Sequence, residues 1–377
     1  MSEEAVISDD VTAPQPPQPP QAPGHPVGQL HPLTALLLVA VFAAVLLLSV
    51  LMLLPVPYAV LVAGPTTNTL GEDKGVALIS ISGHQTYPTT GALDLTTVRI
   101  YGGPGSRVSP WQLVTGWLDD ATLIVPQEQL FPPGQTPEQT KEENQLEMAS
   151  SQESATAAAL RTLGYRVPEH MRVSDFTEAS PSKGTLQVGD VIRSVGGVAI
   201  VGGDELRAEL QKVTPGKPAP MVVRRGGKDV ALSPLTKRGT NGVTVLGVIV
   251  DPVFEFPFQV KIQIENVGGP SAGAMFALGI IDKLTPGPLT GGRTVAGTGT
   301  IDPDGVIGPI GGIRQKLIGA RESGATVFLA PADNCSEVVG RIPDGLSVIK
   351  VATLAEARAA LEHLDSPAGE AGLPRCG

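Results

Sequence analysis

Gly268-Gly269-Pro270-Ser271-Ala272-Gly273, running into the apolar stretch Ala274–Leu284, is the segment that organises the rest of this 377-residue chain. The Gly-Gly-Pro bend predicts a tight turn that delivers a serine to the first turn of a helix over 271–282. A hydroxyl there meets free backbone N–H groups and the positive end of the helix, a suitable place to build negative charge during attack on a carbonyl. Gly273 permits close backbone approach on the early turns. A second glycine pair lies downstream in Ile310-Gly311-Gly312-Ile313-Arg314-Gln315-Lys316, 45 positions after the serine by its lysine. That lysine opens another apolar pattern, Leu317, Ile318 and Ala320, over a helix expected from Ile313 to Ser323. Ser271 and Lys316 read as a nucleophile and its base. The bland alternative is an N-capping serine and a solvated lysine.

Working outward, 240–362 carries the chemistry. Strands are expected at Val243–Val250, at Phe258–Ile264 (which alternates and is half-buried), at Thr294–Ile301, at Thr326–Ala330 and at Leu346–Val351. Asp302-Pro303-Asp304-Gly305 is a turn. A closing helix runs from Thr353 to Leu364, with Thr353 and Glu356 at capping-box spacing. Upstream, Val76–Ile81 and Ala92–Ile100 read as strands, Tyr58–Val62 as a short apolar stretch before a Gly-Pro turn, and 138–163 as a helix. Its expected buried positions are Leu146, Met148, Ala155, Ala158, Ala159 and Leu160.

Residues 33–54 are almost entirely Leu, Val, Ala, Met and Phe. As a helix these 22 residues span about 33 Å, enough for a bilayer. A cleaved signal peptide fits less well, because no basic n-region precedes a run this long. A single membrane anchor is expected, and the polar, Pro- and Gln-rich residues 1–32 before it as a disordered tail. No Lys or Arg precedes Lys74, so the charge rule gives little on orientation. A net charge of −10 without a basic stripe argues against a nucleic-acid partner. Two cysteines, Cys335 and Cys376, are too few for a disulfide scaffold, and a bridge between them is possible but not needed. No cofactor or metal is expected. His84, His170 and His363 are not placed for a triad, and no His-Glu-x-x-His string occurs.

Residues 265–284 and 300–321 closely resemble the proteolytic domain of the Lon proteases. There Pro-Ser-Ala-Gly carries the nucleophile and the lysine closing Gly-Gly-x-x-x-Lys is its partner, matching Ser271 and Lys316. The resemblance implies an α+β fold of the ribosomal-protein-S5-like α/β kind. It implies a substrate or oxyanion region at Gly269, Ala272, Gly311 and Gly312, with Pro270 unable to donate. Thr298 or Thr300 is expected to orient the lysine. The acid usual just before Gly-Pro-Ser is replaced by Gly268, with Glu265 and Asn266 farther back. No Gly-x-x-x-x-Gly-Lys-Ser/Thr string exists, so an ATP-driven motor is not expected. Gly91–Thr96 and Ser151–Leu163 resemble, more weakly, the first strand and helix of the same domain, so 72–165 is expected to supply its N-terminal part.

Residues 166–235 resemble a PDZ domain in Leu186-x-x-Gly189-Asp190-Val191-Ile192, a helix near Asp204–Leu210, and strands Met221–Arg225 and Asp229–Leu232 joined by Gly226-Gly227. The unit is expected as an insertion in, or before, the protease fold. Its groove for an extended peptide is expected near 164–172 and the 204–210 helix. A small β unit that only packs or spaces is the alternative. The arrangement as a whole resembles membrane-anchored, Lon-like serine proteases of actinobacterial type. It implies an outward-facing folded region, protein or peptide substrates, and a homo-oligomeric ring such as a hexamer. Residues 363–377 are expected as a polar tail. The competing readings are a non-catalytic membrane-anchored peptide-binding adaptor and a purely structural envelope protein.

Overall fold

The computed structural model describes residues 31–54, 56–265, 267–364 and 369–376. The expected disordered tail lies almost wholly outside them, as does Asn266. The chain divides after Leu54 into two units. The first contains α1 (Pro32–Leu53), begun by a proline at its first position and free of charged residues. Its 21 residues Pro32–Met52 contain a window of mean hydropathy 3.0, and the helix is long and apolar enough to cross a membrane.

The second unit opens on β1 (Tyr58–Asn68), β2 (Glu72–Asp73), β3 (Val76–Ala77), β4 (Ile79–Ser82) and β5 (Ala92–Tyr101). Next come α2 (Pro110–Leu118), β6 (Leu123–Pro126) and α3 (Pro137–Thr162). Both helices start on a Ser/Thr-Pro-x-Gln string. Ser109 and Thr136 accept the N–H of Gln112 and Gln139, whose side chains reach back to the cap N–H. The middle of the chain holds β7 (Glu169–Phe176), β8 (Val191–Val195), β9 (Val198–Ala199), α4 (Gly203–Gln211), β10 (Met221–Arg225) and β11 (Lys228–Leu232). It continues with β12 (Lys237–Arg238), β13 (Thr244–Val245), β14 (Val248–Phe254) and β15 (Gln259–Ile262). The last third is α5 (Gly273–Leu284), β16 (Thr294–Gly297), β17 (Thr300–Ile301), β18 (Ile307–Gly308), α6 (Ile313–Glu322), β19 (Val327–Pro331), α7 (Cys335–Val338), β20 (Ser347–Val351) and α8 (Leu354–Leu364).

The main sheet has the order β20-β19-β16-β5-β1-β6. Its β5, β16, β19 and β20 are parallel, and β1 runs antiparallel to both β5 and β6. It joins the N-terminal part to the last third: Leu93 pairs with Val295 and Leu95 with Gly297. Leu93 and Leu95 face α3, α5 and α8, in a core with Ala155, Ala158, Leu160, Phe276, Leu278, Ile280 and Leu361. Alanine and glycine on α3 and α5 let the two axes approach closely: a Cβ on Gly273 would lie 2.7 Å from Ile301 Cγ2 and 2.9 Å from Ser151 Oγ. On the opposite face, α6 packs Ile313, Leu317 and Ala320 against Ala296 and Phe328.

Several local expectations are corrected. β1 runs 11 residues through Gly64-Pro65 without turning there; a bulge between Ala63 and Thr66 absorbs the proline. Thr294–Ile301 is broken at Thr298-Gly299 into β16 and β17, and Val243–Val250 is split into β13 and β14. Leu146 is 66% exposed, because the N-terminal half of α3 extends past the core. At α8, Thr353 Oγ1 accepts from the Glu356 N–H, but Glu356 Oε2 takes the N–H of Ala352 and not that of Thr353.

The central β-rich region forms its own sheet, β11-β10-β8-β7-β14 with β9 on β8, around Val173, Ile192, Ile200, Leu206 and Val223. Gly226 and Gly227, both at positive φ, make the β10–β11 hairpin. This sheet runs past the expected boundary at 235, taking in β14. The expected groove over 164–172 is also corrected. β7 is flanked by β8 on one side and β14 on the other, so the sheet's outer strand there is β14.

Cys335 and Cys376 form a disulfide. It fastens a terminal segment that pairs along β20 through Lys350 N–H to Pro374 O (2.9 Å) and Cys376 N–H to Val348 O (3.2 Å). The polar tail is thus docked over its described part.

Candidate active site

The Gly268–Ser271 turn is fixed from three sides. Gly269 has φ +80°, the left-handed region that glycine tolerates. Beneath it lies α3. A side chain at 268 would collide with Asn144, the Gly269 N–H points to Asn144 O at 3.5 Å, and Ser151 Oγ donates to Pro270 O at 3.0 Å. Beyond it, the break after β16 holds the serine's own carbonyl. Thr298 Oγ1 and the Gly299 N–H both donate to Ser271 O at 2.9 Å, and Gly299 O takes the Ala274 N–H at 3.1 Å. Helix α5 starts at Gly273, two residues later than expected, so Ser271 stands on the turn ahead of it, part-exposed.

The lysine arrives from the other face of the sheet. Gly312 caps α6 at φ +69°, where a Cβ would lie 2.8 Å from Val98 Cγ2. Gly312→Ala is therefore expected to cost about 1–3 kcal/mol in denaturant titration. The turn before it is clamped by Asn334, 2% exposed, whose Oδ1 accepts the Ile310 N–H and whose Nδ2 donates to Ile310 O, each at 2.9 Å. Lys316 is 3% exposed, and its Nζ lies 2.8 Å from Ser271 Oγ and 2.9 Å from Thr298 Oγ1. Burial pushes its pKa down to about 8, because desolvation penalises the ammonium. At that value roughly a fifth of the amine is neutral near pH 7.4, far more than for a solvated lysine, and that fraction can take a proton.

Of the expected site residues, Ser271, Lys316 and Thr298 come together, and Ala272 sits buried at the head of α5. Thr300 pairs with Gly308 in the β17–β18 hairpin. The Gly269 N–H is turned towards α3, so the expectation that it faces an oxyanion is not met. Gly311 and Gly312 shape the approach to α6. Glu265 pairs with Lys74 on the surface, away from the lysine–serine contact. His84 is packed with Tyr165 and Phe258, and His170 Nδ1 lies 3.1 Å from Ile200 O. Sequence reasoning missed Ser151, Asn144 and Asn334. Their only signal is placement, three polar side chains that the fold brings to the two glycine turns.

A part-exposed serine hydroxyl touching a buried lysine amine can exchange a proton within the pair without a third titratable group. Residues 265–363 match the Lon protease (S16) C-terminal proteolytic domain. The Lon-type segment contains both members of that contact and the turn that carries the serine. Among similar proteins, Lon protease 2 of Bacillus subtilis is 38% identical over 90 residues, 24% of this chain and 16% of its own length. Lon protease 1 of the same organism is 30% identical over 195 residues, covering 48% of this chain and 24% of that protein. Lon protease of Rickettsia felis is 29% identical over 211 residues, 52% of this chain and 26% of the relative. The chain thus spans about a quarter or less of the length of these Lon relatives. The PDZ domain of an SdrC-like protein from Listeria monocytogenes aligns over 21% of this chain and 85% of its own, at 17% identity and a TM-score of 0.20. The Lon match is consistent with serine-protease chemistry in this segment.

Proposed function

We propose that the chain is a membrane-anchored serine endopeptidase in which Ser271 is the nucleophile and Lys316 the general base. The observation that carries this reading is the 2.8 Å approach of a desolvated Lys316 Nζ to Ser271 Oγ. With the amine neutral, the serine O–H donates to Nζ and Oγ attacks the scissile carbonyl carbon. The proton taken by Lys316 passes to the departing amine, leaving an ester on Ser271. Water, deprotonated by the same amine, then releases the acyl product. Thr298 orients the lysine while it braces the Ser271 carbonyl. The amides of Ser271 and Ala272 are the donors proposed for the oxyanion, since those of Gly269, Gly273 and Ala274 are directed at other carbonyls.

Substrates would be extended segments of extracytoplasmic or membrane-proximal proteins, cleaved without ATP, as the sequence contains no nucleotide-binding loop. The disulfide supports an outward-facing folded region, because such bonds persist in oxidising compartments. The β-rich middle region would serve as a PDZ module that takes a peptide strand at the outer edge of β14, after the Gly247 turn at φ +73°.

A serine-reactive phosphonate tests the reading. It should label Ser271, at a rate that climbs with pH to a plateau and has its midpoint near the lysine's value of about 8. The sign follows from the base being active only when deprotonated. Labelling elsewhere, or none at any pH, would reject the nucleophile and favour a peptide-binding adaptor.

A further inference from the structure

Both tryptophans of the chain, Trp111 and Trp117, lie on α2. This helix, Pro110-Trp-Gln-Leu-Val-Thr-Gly-Trp-Leu118, carries no charged residue and has no buried side chain. Its inner side is set by Gly116, where a Cβ would lie 2.9 Å from Thr122 Cγ2 and 3.5 Å from Ile124 Cδ1, the latter on β6. At about 100° per residue, Trp111, Val114, Trp117 and Leu118 fall within one arc of roughly 120° on the side opposite Gly116. They are 62%, 46%, 82% and 76% exposed. Two indoles, a valine and a leucine on one short uncharged helix make a contiguous apolar face, which a water-facing surface does not ordinarily keep.

The connectivity of the folded unit indicates what covers this face. The apolar helix α1 ends at Leu53, and the chain first pairs within the folded unit at Val56. The residue that Val56 bridges is Val108, two positions before α2. Helix α2 is therefore built beside the point at which the folded unit is tied to α1. Tyr58 and Tyr101, each 40% exposed, stand at the same end of the β1–β5 pair. Tryptophan and tyrosine are the side chains that settle at the headgroup level of a bilayer. The flanking charges, Arg107 on one side and Asp119 and Asp120 on the other, supply no net positive charge for anionic lipid. The attraction is thus apolar.

We propose that the Trp111, Val114, Trp117 and Leu118 face of α2 docks in the headgroup boundary of the bilayer that α1 crosses, as a second, interfacial contact of the chain with lipid. This rests on the reading of α1 as a membrane span.

Intrinsic tryptophan emission reports this helix alone, so the full-length chain can be tested without substitution. The chain is reconstituted into phosphatidylcholine nanodiscs, with and without lipid brominated near the top of its acyl chains. Rings inserted about 5–10 Å into the boundary should lose roughly half or more of their emission to the bromines, equally at low and high salt. Emission unchanged by bromine but quenched by acrylamide would place the face in water, and emission insensitive to both would place it against a second copy of the chain. Either result overturns the proposal. Alkaline carbonate washing of the same chain in vesicles separates the two readings. A chain that resists extraction yet shows no bromine quenching keeps the span and rejects the docking, whereas a chain that is extracted rejects the span and the proposal with it.

Discussion

Replacing Lys316 with methionine is expected to abolish peptide hydrolysis and, at the same time, to stabilise the folded unit by about 3 kcal/mol at pH 7. The loss in kcat should be at least about 10³-fold, since the variant removes the only base in contact with Ser271 Oγ among the described residues. The gain in stability follows from linkage. Burial lowers the lysine from 10.5 to about 8, and each unit is worth about 1.4 kcal/mol between protonation states. Below pH 8 the folded chain carries the full cost of an ammonium held at 3% exposure. Between about 8 and 10.5 the unfolded chain binds the proton and the folded chain does not, so stability of the unsubstituted protein rises with pH across that window. Methionine has similar bulk and no charge to desolvate. Its advantage should be complete at pH 7 and nearly gone at pH 10.5. Denaturant titrations at the two pH values measure it. A methionine variant no more stable than the parent at pH 7 would mean that water reaches the amine, and the account of its basicity would fail.

The second large effect concerns the disulfide. Cys335 and Cys376 are 41 positions apart. A cross-link closing a loop of that length restricts the unfolded chain by about 4 kcal/mol in the chain-entropy treatment. Replacing both cysteines with serine should lower the midpoint of thermal unfolding by roughly 10 °C for a unit of this size. Activity should fall with it at temperatures well below the midpoint. Cys335 directly follows Asn334, whose side chain clamps the Ile310 backbone ahead of the lysine helix. A loosened clamp displaces the turn that aims Lys316. Reduction that leaves both the midpoint and kcat unchanged would show that the terminal segment is an ornament on β20.

The parts of the fold legible in the sequence are those with local signals. Gly-Gly-Pro-Ser and Gly-Gly-x-x-x-Lys mark two turns by backbone chemistry, and alternation marks β15. The unbroken apolar run marks α1. What could not be read is long-range. The resemblance of Gly91–Thr96 points to an N-terminal part that belongs with the last third, but the pairing of β5 with β16 that joins them spans about 200 positions, and neither its partner nor its register is written in either segment. Ser151 and Asn334 are ordinary polar residues until the fold sets them against Pro270 and Ile310. Leu146 misleads for the opposite reason. It has the pattern of a buried position, but the helix that bears it outruns the core. The extra length of β1 was hidden by Gly64-Pro65, a pair that usually turns the chain and here only bulges it. The outer position of β14 is likewise illegible, because the strand reads as part of 240–362 and joins the central sheet only through its long-range pairing with β7.

The first and last strands of that central sheet, β7 and β14, lie side by side. Glu169 faces Phe254, and the Glu255 N–H reaches Pro168 O at 3.0 Å. Entry and exit of the whole region are thus neighbours, about one strand spacing of roughly 5 Å apart. The stretch between them can be treated as a cassette: a short splice across that seam would reconnect α3 to β15 without stretching either. Gain, loss or exchange of this β-rich region needs no rearrangement of the chain that carries Ser271 and Lys316.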